Sequence, residues 1–288
     1  MPNGILIIDK PQNWTSMDVC AKVRGMLREK RVGHGGTLDP MATGVLPVFV
    51  GQATRAVEFA ENSRKEYVAG LRLGQMTNTQ DISGETLETR PVTASRAEVE
   101  AAMARFLGPI QQIPPMYSAI KINGQKLYDL ARKGQEVARK PRSITIYELE
   151  LLEQASETDY MFRCVCSKGT YIRTLCHDIG KALGCGGTLY SLRRTMAAGY
   201  TLAQAVTLEE VQEKGEALLL PTDSLFARYP AVTVRSDKQE KRVRCGNPIT
   251  LPGTPDGTYR VCGQDGTFLC LSRAEGGTLT SIKNFFGA

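Results

Sequence analysis

Apolar and polar positions along this chain change period several times, and each change marks an element. Gly4 to Asp9 is a short apolar run that predicts a strand. Met17, Val19, Cys20, Val23, Met26 and Leu27 then fall on one helical stripe, with Ser16 as the expected cap and a basic end at Arg28 to Arg31. Val45 to Val50 is apolar throughout, as a buried strand would be, and Ala53 to Asn62 reads as a short helix. Lys65 to Leu73 alternates, placing Tyr67, Ala69, Leu71 and Leu73 on one face of a strand. Ser95 to Leu107 returns to helical spacing, with Val99, Met103, Phe106 and Leu107 as its stripe and Ser95 as its cap. Ser143 to Glu153 and Tyr160 to Ser167 alternate again and predict an antiparallel pair; Cys164 and Cys166 share one face there as small core residues.

After a turn at Lys168-Gly169, a helix is expected through Asp178 to Leu183, with His177 as a solvated residue on it. An apolar strand follows around Leu189 to Thr195, then a helix over Thr207 to Leu219, then a linker at Pro221-Thr222-Asp223. From Tyr229 the pattern shifts to short strands with close turns: 232–234, 249–251, 258–262 and 267–272, with Gly263 to Gly266 as a hairpin loop. Strands and helices in this order predict an α+β fold, with a mixed, largely antiparallel central sheet and flanking helices over 1–222. A small all-β unit is expected over 223–288.

Composition narrows the class. With 288 residues, 42% apolar and 23% charged, the chain has ample material for a large core and a small one. No run approaches a membrane-spanning length and the start carries no basic leader, so a cytoplasmic protein without a membrane partner is expected. Eight cysteines without a C-x-x-C pair, and only His34 and His177 as histidines, support neither a disulfide framework nor a metal site. The net charge of +6 is unevenly placed. Seven basic residues between Lys121 and Arg142 face only Asp129 and Glu136, and five between Arg235 and Arg244 face Asp237 and Glu240. Such clusters are usually solvated faces, but a pair of them flanking a candidate loop favours a polyanion over a membrane.

That loop is Gly33 to Pro47, whose four glycines and two prolines in fifteen residues exclude a regular helix or strand. It displays one carboxylate, Asp39, with its backbone restrained by Pro40. An Asp before Pro is ordinarily a turn cap. Here the loop runs straight into an apolar strand, which is how a scaffold presents functional side chains.

The residues G-H-x-G-T-L-D-P-x-A-x-G-V-L of this loop resemble the signature of the pseudouridine synthases that modify the uridine at position 55 in the TΨC arm of tRNA, the TruB family. Further motifs occur in family order. Lys10 to Ser16 resembles the entry K-P-x-G-x-T-S, with Asn13 in place of the glycine, a residue that tolerates left-handed geometry. Tyr117 to Arg132 resembles Y-S-A-x-K-x-N-G-x-x-L-Y-x-x-A-R, read as a strand, a turn at Asn123-Gly124 and a helix. Gly169 to Leu175 matches G-T-Y-I-R-[ST]-L, and Leu192 to Thr195 matches L-R-R-T.

The resemblance implies a pseudouridine synthase fold ending in a PUA-like RNA-binding barrel, and gives Asp39 the role of nucleophile. It implies that Tyr67 stacks on the target base, that His34 fills the stack the base vacates, and that Leu192 lines the uracil pocket. Tyr171 and Arg173, two apart where a strand gives way to a helix, can lean toward one cavity; Arg173 is the candidate cation for Asp39. Asp81 sits where the family has an aspartate in T-x-T-x-D, and an Asx turn explains it equally well. Asp81, Lys121, Lys126, Arg132, Lys133 and Arg193 are candidate RNA contacts, the four from Lys121 to Lys133 on a lid-like basic segment of about 111–142.

The chemistry implied breaks a glycosidic bond and rejoins the base through carbon, needing neither a redox agent nor an energy source. No cofactor is expected, and no P-loop or dinucleotide fingerprint occurs. The expected partner is the T stem-loop of tRNA, bound by a monomer without an obligatory protein partner. Two other readings stay open: a guide-RNA-dependent relative acting on ribosomal RNA, and a non-catalytic tRNA-binding or folding protein.

Overall fold

The computed structural model describes every residue except Asn123, Gly287 and Ala288, so the first half of the expected Asn123-Gly124 turn lies outside the described residues. A nine-stranded sheet organises the larger part of the chain. Along it run Gly4–Lys10, Thr43–Val50, Gly187–Ala197, Lys65–Leu73, Asp159–Cys166, Arg142–Gln154 and Gly108–Gln112, with Val32–His34 and Tyr200–Thr201 paired alongside. Every pairing is antiparallel except one short parallel join, Arg193 to Thr43 and Arg194 to Gly44. The mixed, largely antiparallel sheet expected from sequence is therefore present.

Strand Gly4–Lys10 has no polar alternation because both of its faces are covered. Leu6 and Ile8 join a core with the helices Ser16–Leu27, Arg96–Ala104 and Ile172–Ala182, while Ile5 and Ile7 join a second core on the opposite face. Two residues expected on apolar stripes are instead exposed. Met17 (53% exposed) lies off the stripe set by Ser16, Val19, Cys20, Val23 and Leu27, and Leu107 (45%) lies beyond a helix that stops at Ala104. His177, expected in solvent, is half-buried, with Nδ1 lacking a partner among the described residues.

The second sheet has the order Ala231–Thr233, Gly257–Cys262, Phe268–Glu275, Thr278–Asn284, Ile249–Thr250. It is not all-β: the basic cluster at 235–244 forms a helix, Asp237–Arg244, with only Val243 buried. Pro221 to Asp223 is no free linker either. Thr222–Phe226 is a turn of 3₁₀ helix that delivers Phe226 into the second core. There Phe59, Phe268 and Phe285 surround it, with ring centroids 5.1, 5.8 and 5.3 Å from its own. The two sheets thus share packed aromatic surface.

Candidate active site

Asp39 lies between Val32–His34 and Thr43–Val50, on a loop whose backbone is gripped on both sides of the carboxylate. Arg194, fully buried, donates from Nη2 to Gly36 O (3.1 Å), from Nη1 to Thr37 O (3.4 Å) and from Nε to Val45 O (2.7 Å). Ser16 Oγ accepts from Leu38 N at 2.9 Å. The cap of the first helix is therefore Thr15, with Asp18 completing a capping box, and Ser16 is released to hold the residue before Asp39. On the other side, Lys10 Nζ donates to Pro11 O (2.8 Å), Trp14 O (2.6 Å) and Pro40 O (3.3 Å). Burial pulls the Lys10 pKa down to about 8, against the attraction of Asp39. Asn13 N donates to Pro40 O at 2.8 Å from a left-handed backbone (φ 66°), the geometry that permits asparagine where the family motif has glycine.

Gly44 is the position where a side chain is impossible. Its φ is 102°, and a Cβ there would lie 2.2 Å from Arg194 O, so only glycine lets the strand carrying the loop meet the strand carrying Arg194.

Arg173 sits almost fully buried in the first turn of helix Ile172–Ala182, and its guanidinium uses its whole edge. Nε lies 2.9 Å from Asp39 Oδ2 and Nη2 donates to Asp39 Oδ1 at 3.2 Å, a two-point pairing. Nη2 also donates to Tyr117 O (2.8 Å) and Nη1 to Thr79 O (3.1 Å). Asp81 Oδ2 stands 3.7 Å from Nε. Its Oδ1 accepts from Thr79 Oγ1 (2.7 Å) and Ser83 N (3.0 Å). One Asp81 oxygen thus closes an Asx turn while the other faces the arginine. One cation gathers two carboxylates and the backbones of two loops.

Tyr67 is 7% exposed, opposite Arg194 and Cys164 in the sheet. Burial raises its pKa to about 12, so its hydroxyl stays protonated. Tyr171 caps the helix that carries Arg173; Gln112 holds its backbone from both sides, accepting from Tyr171 N at 2.8 Å and donating to Tyr171 O at 3.0 Å. Burial raises the Tyr171 pKa as well, and Arg173 and Asp39 both act on it electrostatically. Leu192 is buried in the same core as Tyr67. His34 ends the strand before the loop with Nδ1 unpartnered among the described residues, and burial, then Arg194, lowers its pKa, leaving a neutral ring at ordinary pH.

The remaining candidates lie apart from this cluster. Lys121 and Lys126 face each other across a short hairpin, and Lys126 Nζ donates to Tyr128 Oη at 2.9 Å. Arg132 and Lys133 are exposed at the end of helix Leu127–Arg132, Arg132 over the Tyr128 ring at 5.5 Å. The segment has a small core of its own, Met116, Leu127 and Leu130, and Tyr117 O ties it to Arg173. Arg193 pairs with Asp9 at 2.7 Å rather than pointing free into solvent. Sequence reasoning passed over Arg194 and Gln112, read Ser16 only as a helix cap, and gave Lys10 no role. Only the L-R-R-T match could have raised Arg194, whose partners are backbone carbonyls about 150 residues away.

Arg194→Met takes the donor from the buried carbonyl of Val45 and the part-buried carbonyls of Gly36 and Thr37, and empties a fully buried site. It is expected to cost about 3 kcal/mol of stability, read as a lower denaturant midpoint. Arg194→Lys should recover only part of this, because one ammonium cannot replace the fork.

Comparison with known proteins gives concordant results. The model of the TruB family pseudouridylate synthase N-terminal domain matches residues 24–172, and that of the tRNA pseudouridylate synthase B C-terminal domain matches 173–227. A tRNA pseudouridine synthase B of Alkaliphilus oremlandii is 48% identical over 265 residues, covering 91% of this chain and 88% of the relative. One of Clostridium kluyveri is 45% identical over 290 residues, covering 98% and 99%. Among solved structures, a Cbf5-Nop10-Gar1 complex contains a chain with TM-score 0.75 and 26% identity, covering 99% of this chain and 85% of that one. An H/ACA RNP bound to a substrate RNA containing 2′-deoxyuridine gives 0.74 and 25%, covering 99% and 86%.

Proposed function

The chain belongs to the TruB family of pseudouridylate synthases, and from that premise we propose that it isomerises uridine 55 in the T arm of tRNA, with Asp39 as nucleophile. It is a tRNA pseudouridine synthase, an isomerase; the position in the RNA and the residue roles are the proposal. The observation that carries it is the Asp39–Arg173 pair, a carboxylate about one-third exposed, held at two points by an arginine 5% exposed. A carboxylate so placed is held in a fixed orientation while one side remains open to substrate.

The target base is stacked in folded RNA and must be extruded, at a cost of a few kcal/mol. Tyr67 stacking on the base returns about 1–3 kcal/mol. His34, neutral and at the loop's edge, is suited to fill the vacated stack without bringing a charge between bases. Asp39 attacks either the ribose carbon or the ring; the glycosidic bond breaks, the base turns, C5 bonds to C1′ as the bond to Asp39 is released, and C5 loses its proton while N1 gains one. Leu192 keeps one wall of the pocket apolar, and Tyr171 offers a protonated hydroxyl beside the reacting carboxylate. Asp81 sets the far side of Arg173 and acts as a positioning residue.

Lys121, Lys126, Arg132 and Lys133 would hold RNA phosphates from a segment that closes over the cleft, with Arg193 at the cleft's edge. The second sheet, with the helix Asp237–Arg244, would bind RNA as a PUA-like unit. Residues 1–222 are then the catalytic part and 223–288 the RNA-binding part of a cytoplasmic monomer that needs no cofactor. Identity of 45–48% to enzymes named for tRNA, against 25–26% to the H/ACA chains, favours tRNA over a guided ribosomal substrate.

The test is incubation of the purified chain alone with unmodified tRNA, followed by carbodiimide mapping. Conversion at position 55 alone is expected. Dependence on a guide RNA or added protein, or conversion elsewhere, would overturn the reading.

A further inference from the structure

Beside the catalytic cluster lies a shallow cavity of about 330 Å³, lined by Asn62, Ser63, Arg64, Tyr147, Ser167 and Lys168. It has no carboxylate among its lining residues. Arg64 and Lys168 make no ion pair among the described residues, whereas Arg72, Arg163 and Arg193 of the same sheet are all paired. Arg64 stacks on the half-exposed Tyr147 ring, its Cζ 3.9 Å from the centroid, and Lys168 is steadied by a hydrogen bond from Nζ to Asn62 Oδ1. Two oriented cations therefore face open space, while the Ser63 and Ser167 hydroxyls are bonded within the chain, Ser63 Oγ donating to Ala60 O and Ser167 Oγ accepting from Thr145 N.

The cavity is joined to the reaction site through the chain. Ser63 and Arg64 lead into the strand bearing Tyr67, and Ser167 and Lys168 lead through Gly169-Thr170 to Tyr171 and Arg173. Lys65, the next residue along, donates from Nζ to Ser63 O (2.9 Å) and Glu61 O (2.8 Å), and a methyl at Gly36 would lie 3.6 Å from its Cε. At about 3.3 Å per strand residue, Arg64 stands about 10 Å from Tyr67 along the backbone.

We propose that this cavity seats a backbone phosphodiester of the RNA, next in line to the nucleotide that is extruded; the inference rests on the tRNA-modifying reading of the neighbouring cleft. Phosphate fits better than a base because Arg64 already covers one face of the Tyr147 ring. A stacked guanidinium keeps its edge N–H groups free to donate to phosphate oxygens. Lys168 supplies a second charge, and its ammonium has donors beyond the one it gives to Asn62. A phosphate held here would fix the strand beside the flipped nucleotide, so that extrusion delivers the base onto Tyr67 and not past it.

The experiment uses the full chain and T-arm hairpins in which one phosphate at a time is replaced by a neutral methylphosphonate. Arg64→Gln with Lys168→Gln is expected to fold normally by thermal melting and to bind the unmodified hairpin about tenfold more weakly. The slope of log K against log salt should become shallower by about 0.7 for each phosphate that the variant no longer neutralises. At one position, the methylphosphonate should weaken the wild-type protein by a similar factor and the double variant not at all. Unchanged affinity and slope, or effects of variant and methylphosphonate that add at every position, would overturn the seat. A wild-type protein that binds no tRNA would bring down the functional reading and this inference together. If the wild type binds and converts while the double variant is unaffected, the inference fails alone.

Discussion

Arg173→Met is expected to lower turnover on saturating tRNA by about 10² to 10³, with a smaller loss of affinity. Four groups are deprived of their common partner at once: the Asp39 carboxylate, the facing Asp81, Thr79 O and Tyr117 O. A factor of 10² to 10³ is about 3–4 kcal/mol of barrier; removing one member of a buried charge pair separately costs about 3–5 kcal/mol of stability. Two carboxylates are then left facing each other without a cation, and the loop bearing Tyr117 is no longer tied to the helix bearing residue 173. Arg173→Lys keeps the charge but cannot span the same partners, and should recover less than tenfold of the loss. Rates from single-turnover mixing, set beside filter-binding affinities for the same preparations, check both statements. Full activity in Arg173→Lys would mean that charge alone matters and that the two-point geometry is incidental.

The residues proposed to face substrate sit in short motifs whose spacing carries their meaning, and the elements that bear them were legible from sequence. The loop around Asp39, the strand bearing Tyr67 and the strand-to-helix step at Tyr171 to Arg173 all fold where the pattern placed them. What stayed hidden is the support behind them. Lys10, Ser16, Gln112 and Arg194 act on backbone atoms of other segments, and a backbone carbonyl leaves no mark in the sequence of the segment that offers it. Ser16 shows the ambiguity most plainly: a serine at the head of a helical stripe reads as a cap, and only the fold reveals that Thr15 takes that task.

Helix Asp237–Arg244 escaped for another reason. It buries only Val243, so no apolar period distinguishes it from a charged loop. Phe226 and its aromatic neighbours likewise come from three distant segments, and the linker expected just before Phe226 is part of a packed joint. The buried strand Gly4–Lys10 was readable as a strand, but its contribution to two separate cores was not, since an apolar run names no face.

The central claim is that the Asp39 carboxylate forms the bond that frees the uracil. Asp39→Asn removes the negative charge with little change in shape, and the clamps on Leu38 and Pro40 should keep the loop in place. Turnover is therefore expected to fall by about 10⁴ or more, as when a nucleophile is removed. The RNA-binding surface is untouched, so affinity should stay within about tenfold of wild type. Measuring both in one preparation, with single-turnover conversion at position 55 and equilibrium binding of unmodified tRNA, tests the claim most directly. Conversion abolished with binding kept is the predicted result; conversion that persists, or binding that disappears in step with it, would contradict it.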